Sequence, residues 1–159
     1  MTKIDPGLIR EIFDYRDGTL VWRVNTGKKR LVGSIAGACR ADGYWRVGIF
    51  GRDYYLHHLV WAWHRGEWPR RLDHADTNQG NNWIGNLRVA TQSQNIANSK
   101  VRRSGLKGAY PVTDASTYRS AITVAGKSIN LGNYGSEREA HEAYVAAARL
   151  HFGEFARAA

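Results

Sequence analysis

A chain of 159 residues has room for one medium domain or two or three small ones, and 43% apolar residues with six Trp allow it to bury cores of its own. No segment approaches the ~20 apolar residues of a membrane-spanning helix, and a single cysteine, Cys39, excludes an internal disulfide and a multi-cysteine zinc site. A net charge of +9 points to a polyanionic partner.

The charge is unevenly spread. Residues 1–71 carry +6 and residues 100–159 carry +4, whereas residues 72–99 hold two Asp against one Arg. A locally acidic centre between basic arms suits a cation site set within a nucleic-acid-binding surface. No charged-then-apolar secretory leader opens the chain, so a cytoplasmic location and no membrane association are expected.

In chain order, residues 4–15 place Ile4, Leu8, Ile9, Ile12 and Phe13 near helical spacing, with Asp5 as N-cap and Pro6 in the first turn. Asp17-Gly18 predicts a hairpin between strands at 13–15 and 19–23. Lys28, Lys29 and Arg30 form a basic loop. Further strands are predicted at 34–38, 44–50 and 54–56, turning at 41–43 and 51–53. Residues 57–64 (HHLVWAWH) read as a short helix with Leu59, Val60 and Trp63 inward. His57 and His58 are neighbours along that helix and do not face each other, so they make no metal pair. His57 is expected to pack or hydrogen-bond under the following loop and is the candidate accessory site residue; His64 is expected at the surface. Gly66 and Pro69 end the helix, and Arg70 and Arg71 are placed to meet a DNA backbone.

Residues 72–95, LDHADTNQGNNWIGNLRVATQSQN, are the organising stretch. Asp73 and His74 sit side by side. A loop of turn formers (Asp76, Asn78, Gly80, Asn81, Asn82) follows, then a strand at 87–91 and a short helix with Ser93 as its expected N-cap. Asn81 and Asn82 read as loop carboxamides that satisfy backbone groups. A hard cation such as Mg²⁺ prefers oxygen ligands and keeps several waters, so one carboxylate and one carboxamide suffice from the protein. An imidazole beside such a ligand can deprotonate an attacking water, because its ordinary pKa of about 6.5 suits neutral pH.

This stretch resembles the ββα-metal (His-Me finger) core of HNH endonucleases, particularly the homing type carried by phages and introns. That family's pattern is Asp-His, then Asn twelve positions after the His, then a metal-binding His or Asn nine further on. Asp73, His74, Asn86 and Asn95 keep that spacing. The resemblance implies that His74 is the general base, that Asp73 and Asn95 hold Mg²⁺ or Mn²⁺, and that Asn86 braces the loop and orients the base. Some relatives brace this core with cysteine-bound zinc; no structural zinc is expected here, and Trp61, Trp63, Trp68 and Trp83 are expected to supply the packing instead. Residues 44–60 also resemble the strand region that precedes the core in phage proteins.

From residue 97 the chain turns polar and basic, and Lys100, Arg102, Arg103 and Lys107 read as a linker that follows phosphates. Three short strands are predicted at 107–111, 118–124 and 127–133, with turns at 114–116 and 125–126. A helix from Ser136, with Glu139 at the capping-box position, runs to about Phe152 and is stopped by Gly153. Ala140, Ala143, Tyr144, Ala147 and Leu150 are expected to pack on the sheet. This unit resembles the ethylene-response-factor (AP-two) DNA-binding domain, over SGLKGAY and the stretch from 118 to 156. The resemblance implies DNA contact through Lys107, Tyr110, Tyr118, Arg119, Thr123 and Lys127.

The expected fold is α+β. It comprises a β-rich unit over 1–56, the nuclease core over 57–99, a basic linker over 100–107 and a sheet-and-helix DNA-binding domain over 108–159. The expected function is metal-dependent hydrolysis of a phosphodiester bond in double-stranded DNA, nicking as a monomer with one site per chain, in a protein encoded by a phage or mobile element. The rival readings are a non-catalytic DNA-binding regulator that keeps the fold, and an RNA-binding module.

Overall fold

The computed structural model describes residues 3–25, 31–99, 105–113 and 116–157. The basic loop Lys28, Lys29 and Arg30, the linker residues Lys100, Arg102 and Arg103, and most of the turn at 114–116 lie outside the described residues. The chain mixes helices with small antiparallel sheets, compatible with α+β, and divides into two compact units, Met1–Val89 and Ala90–Ala159.

In the first unit, α1 (Pro6–Ile12) begins at Asp5, whose carboxylate accepts from the backbone N–H groups of Gly7 and Leu8. These are donors that the first helical turn leaves without partners. A hairpin follows, β1 (Phe13–Arg16) and β2 (Thr19–Trp22), paired from Phe13↔Trp22 to Arg16↔Thr19. Asp17 and Gly18 both take positive φ, 44° and 82°, the two-residue turn whose twist matches that of the strands. Then come β3 (Ala38–Cys39), β4 (Trp45–Ile49) and β5 (Arg52–Tyr55) in one antiparallel sheet, followed by α2 (Leu56–Arg65), closed by Gly66 in the left-handed region. The strand predicted at 54–56 therefore ends sooner, and Leu56 starts the helix.

One apolar core serves this unit. It takes Ile9, Phe13, Leu20, Trp22, Val47, Leu56, Leu59, Val60, Leu72 and Leu87, so the N-terminal hairpin, α2 and the strands at 72–89 share it. Burial of this apolar area is the main stabilising term. Indole N–H groups tie the layers: Trp63 donates to the Phe13 carbonyl (3.0 Å) and Trp68 to that of Ile4 (2.7 Å). Two packing expectations need correction. Trp83 is exposed, its ring lying over Gly85, while Trp22 joins Trp61 as a buried indole of the core. His64 is half-buried against Tyr15 and Trp63, because the hairpin covers that end of α2.

The second unit holds α3 (Gln92–Asn98) and an antiparallel sheet ordered β10 (Lys127–Tyr134), β9 (Tyr118–Val124), β8 (Ala109–Pro111), with α4 (Glu137–Phe152) packed on it. The N-cap of α3 is Thr91 rather than Ser93. Its hydroxyl accepts from the Gln94 N–H, and the Gln94 side chain accepts from the Thr91 N–H. This reciprocal box satisfies two end groups, whereas a cap at Ser93 would satisfy one. The box predicted at Ser136 and Glu139 forms as expected. On α4 the buried stripe is Ala140, Tyr144, Ala148 and Phe152, in steps of four, and Leu150 is left 82% exposed. Gly108 lies directly under the Tyr144 ring, where a Cβ would collide with it.

Candidate functional site

The site is built on β6 (Leu72–His74) and β7 (Leu87–Val89), paired antiparallel as Leu72↔Val89, Asp73↔Arg88 and His74↔Leu87. Side chains alternate between faces along a strand, so Asp73 and His74 point to opposite faces although they are neighbours. Both are buried. Across the sheet from Asp73, Arg88 brings Nε and Nη2 to the same carboxylate oxygen, Oδ2, each at 2.9 Å. The strand register makes Arg88 the natural partner, a pairing that residue spacing alone did not bring out.

The loop between the strands is held by its own carboxamides. Asn86 is buried at the end of a 3₁₀ turn (Ile84–Asn86) and reaches both limbs of the loop. Its Oδ1 accepts from the Asp76 N–H (3.1 Å), and its Nδ2 donates to Asp76 Oδ1 (3.0 Å) and to the Asn81 carbonyl (2.8 Å). Asp76 also accepts from the Asn78 N–H (2.8 Å) and from Asn81 Nδ2 (2.7 Å). Burial pushes the Asp76 carboxyl upward, but these hydrogen bonds outweigh it and hold its pKa below the usual value. From the N-terminal hairpin, the Tyr15 hydroxyl accepts from the Ile84 N–H (3.3 Å).

Around His74 the structure gathers residues from distant parts of the first unit. His74 Nε2 lies 3.2 Å from Asn82 Oδ1. The His57 ring meets the His74 ring edge-on at 5.1 Å, and Tyr44 approaches it at 6.1 Å. Asn82 is 3% exposed, so its role extends past the turn-forming one read from the sequence. Tyr44 had no signal of its own, standing thirty positions away just ahead of β4.

His57 is buried as expected of an inward helix position, and its Nδ1 finds no hydrogen-bond partner. Burial pushes its pKa down to about 2, helped by His58 and His74; burial, Lys3 and His74 push His58 down to about 4. Unfolding at acid pH therefore takes up protons. Below about pH 6.5 the unfolded chain charges these imidazoles while the folded chain does not, so stability is fully held above that pH and falls below it, by up to ~1.4 kcal/mol per pH unit for each group. A series of urea midpoints through that range should decline toward acid, and His57→Phe should flatten the slope. An unchanged slope would contradict a neutral, buried His57.

Asn95 is half-buried on α3, in the second unit, whereas Asp73 and His74 stand in the first. Among the described residues no group of three or more His, Cys, Asp or Glu side chains is arranged to hold a metal ion. The donor chemistry at Asp73 nevertheless fits a hard cation, for it offers a buried carboxylate oxygen donor of the kind such ions prefer.

The residues expected to meet DNA divide by place. Arg70 and Arg71 are exposed just ahead of β6. In the second unit, alternation and register put Tyr110, Arg119 and Thr123 on one sheet face, with Tyr110 directly opposite Arg119. Ser120 and Ile122, on the other face, are buried on the α4 side, and Tyr118 and Lys127 share their parity. Lys107 is half-buried, and its ammonium donates to the carbonyls of Ala97 and Ser99 at the end of α3. Burial, with Arg157 nearby, lowers its pKa to about 8.

Residues 54–97 match the model of the HNH endonuclease family. A protein of Acanthamoeba polyphaga mimivirus, named an uncharacterized HNH endonuclease, is 35% identical over 85 residues. That alignment covers 54% of this chain and 44% of the viral protein, so the chain spans less than half the length of this relative. No solved structure matches the chain at a significant level. The matched segment runs from β5 through α2, β6, the carboxamide loop and β7 into α3, and together with the viral relative it supports an HNH endonuclease domain over this part of the chain.

Proposed function

We propose that this protein is a metal-dependent endonuclease that nicks double-stranded DNA, with His74 as general base. The observation that carries the reading is a buried imidazole, oriented by a carboxamide and next in sequence to a buried carboxylate, on a strand whose loop is pinned by Asn86 within the segment that matches the HNH family.

In this mechanism His74 removes a proton from a water that attacks the phosphorus in line, and the products carry 5′-phosphate and 3′-hydroxyl ends. Asp73 and Asn95 are the proposed ligands of Mg²⁺ or Mn²⁺, which when bound supplies charge stabilisation at the phosphate and the departing oxygen. Arg88 holds the Asp73 carboxylate in place. His57, kept neutral by burial, packs against the base without adding a positive charge beside it. Asn86 keeps the loop shut behind His74.

Arg70 and Arg71 are proposed phosphate contacts, with the basic segment that includes Lys100, Arg102 and Arg103. The second unit is proposed as an AP-two-like DNA-binding domain that meets the duplex through the sheet face bearing Tyr110, Arg119 and Thr123. One site per chain gives a monomeric nicking enzyme. No helix among the described residues is long and apolar enough to cross a membrane, and the viral relative supports a mobile-element protein that acts inside the host cell.

The substrate class is tested by offering supercoiled plasmid, single-stranded DNA and RNA at one salt concentration. Selective nicking of the plasmid, with nicks that DNA ligase reseals, is the expected result. Preferred cleavage or retention of RNA would overturn the assignment to duplex DNA.

A further inference from the structure

We propose that Asn82 is a positioning residue that fixes the proton of neutral His74 on Nε2 and so makes Nδ1 the nitrogen that accepts the proton of the attacking water. The inference rests on the nuclease reading for its consequence, but the hydrogen-bond geometry behind it stands apart from that reading.

Two bonds of one carboxamide carry the argument. Asn82 Nδ2 donates to the Gly80 carbonyl at 3.2 Å, and Oδ1 lies 3.2 Å from His74 Nε2. A carbonyl can only accept, so the end of the amide that faces Gly80 is the NH₂ group. The other end, facing His74, is then the oxygen. Turning the amide over would set two acceptors against each other at Gly80. A carboxamide oxygen cannot donate, so the imidazole nitrogen it meets must carry the hydrogen. Neutral imidazole has one N–H, and with that hydrogen on Nε2 the lone pair falls on Nδ1.

The surroundings keep this arrangement from relaxing. Asn82 is 3% exposed, so little water competes for its amide. Gly80 is itself placed by a bond from its N–H to Asn78 Oδ1 (3.0 Å), and the Asn81 N–H donates to the Asn78 carbonyl (3.0 Å). The His74 ring is flanked edge-on by His57 and Tyr44, which limits its rotation about χ2. Three separate parts of the first unit thus hold one ring: the loop sets its proton, and β4's approach and α2 set its plane.

The test reads the proton directly. In the ¹⁵N-labelled, metal-free full chain at about pH 8, above the ordinary imidazole range, two-bond ¹⁵N–¹H spectra separate a nitrogen that bears hydrogen from one that bears a lone pair. Comparison with His74→Ala assigns the His74 signals among the six histidines. The expected result is a single His74 tautomer with hydrogen on Nε2. Asn82→Leu should convert it to a mixture and lower the plasmid nicking rate by about 10- to 100-fold, within the range a general base contributes. Asn82→Asp, which keeps an oxygen acceptor toward His74 but sets its other oxygen against the Gly80 carbonyl, should retain the Nε2 hydrogen while losing part of the rate. A wild-type spectrum with hydrogen on Nδ1 would overturn the proposal, as would an Asn82→Leu protein with the wild-type tautomer and rate. Should Asn82→Leu fail to fold, the wild-type and Asn82→Asp spectra decide. Absence of nicking by wild type defeats the nuclease reading alone, because the tautomer is read without DNA.

Discussion

Replacing His74 with Ala should lower metal-dependent nicking of supercoiled plasmid by about 10²- to 10⁴-fold, the contribution expected of a positioned general base. The fold should survive. His74 is buried, and its contacts include Asn82 Oδ1 and the ring edges of His57 and Tyr44, but it is not a member of the apolar core. Its loss leaves Asn82 with one bond to Gly80 and a small space that water can enter. Circular dichroism and the thermal midpoint of the variant should therefore stay close to wild type while turnover collapses. His74→Ala nicking at the wild-type rate would move the base elsewhere, with His57 next to be tested. A variant that unfolds would show that the imidazole is structural.

The largest stability effect at the site is expected from Asn86→Ala. Its side chain makes three hydrogen bonds that join the two limbs of the loop. Cutting them leaves the Asp76 N–H and the Asn81 carbonyl short of a partner, at a cost of about 2–3 kcal/mol for the set once water has reached the more exposed groups. Asn78→Ala, which removes acceptance from the exposed Gly80 N–H only, is the contrasting variant and should cost less than about 1 kcal/mol. Urea unfolding compares the two. Because the loop also carries Asn82, Asn86→Ala should lose nicking as well as stability. Equal midpoints for Asn86→Ala and wild type would show that the loop does not depend on its carboxamide brace.

Much of this architecture could be read from residue types because local rules and the tertiary fold agree. Asp17-Gly18 has the two residues that tolerate positive φ in a tight hairpin, and Ser136 with Glu139 has both halves of a capping box. The sequence misreadings occur where two local solutions competed or where the decision was tertiary. Thr91 and Ser93 can both cap a helix; Gln94 stands three positions after Thr91 and settles it. Leu150 fits a helical stripe on paper, but the buried line follows steps of four from Ala140 to Phe152 and passes it by. Trp83 looked like core and lies exposed over Gly85.

The candidate site was legible in part for the same reason. Spacing carried His74 and Asn86, and the bonds of Asn86 across the loop are those of a bracing carboxamide. Asn82 could be seen only as one of two adjacent asparagines, since both suit a turn and nothing local says which faces an imidazole. Arg88 follows from the register of a three-residue strand pair, and Tyr44 follows only from the packing of the whole first unit.

The central claim is turnover that depends on a divalent cation, and it is tested most directly by incubating the wild-type chain with supercoiled plasmid in Mg²⁺, in Mn²⁺ and in excess chelator, beside His74→Ala. The account predicts open-circular product with at least one of the two cations, none in chelator, and a rate at least about 10²-fold lower for the variant. Wild-type protein that retains the plasmid yet leaves it supercoiled with both cations would contradict it and make this chain a DNA-binding regulator on a nuclease fold.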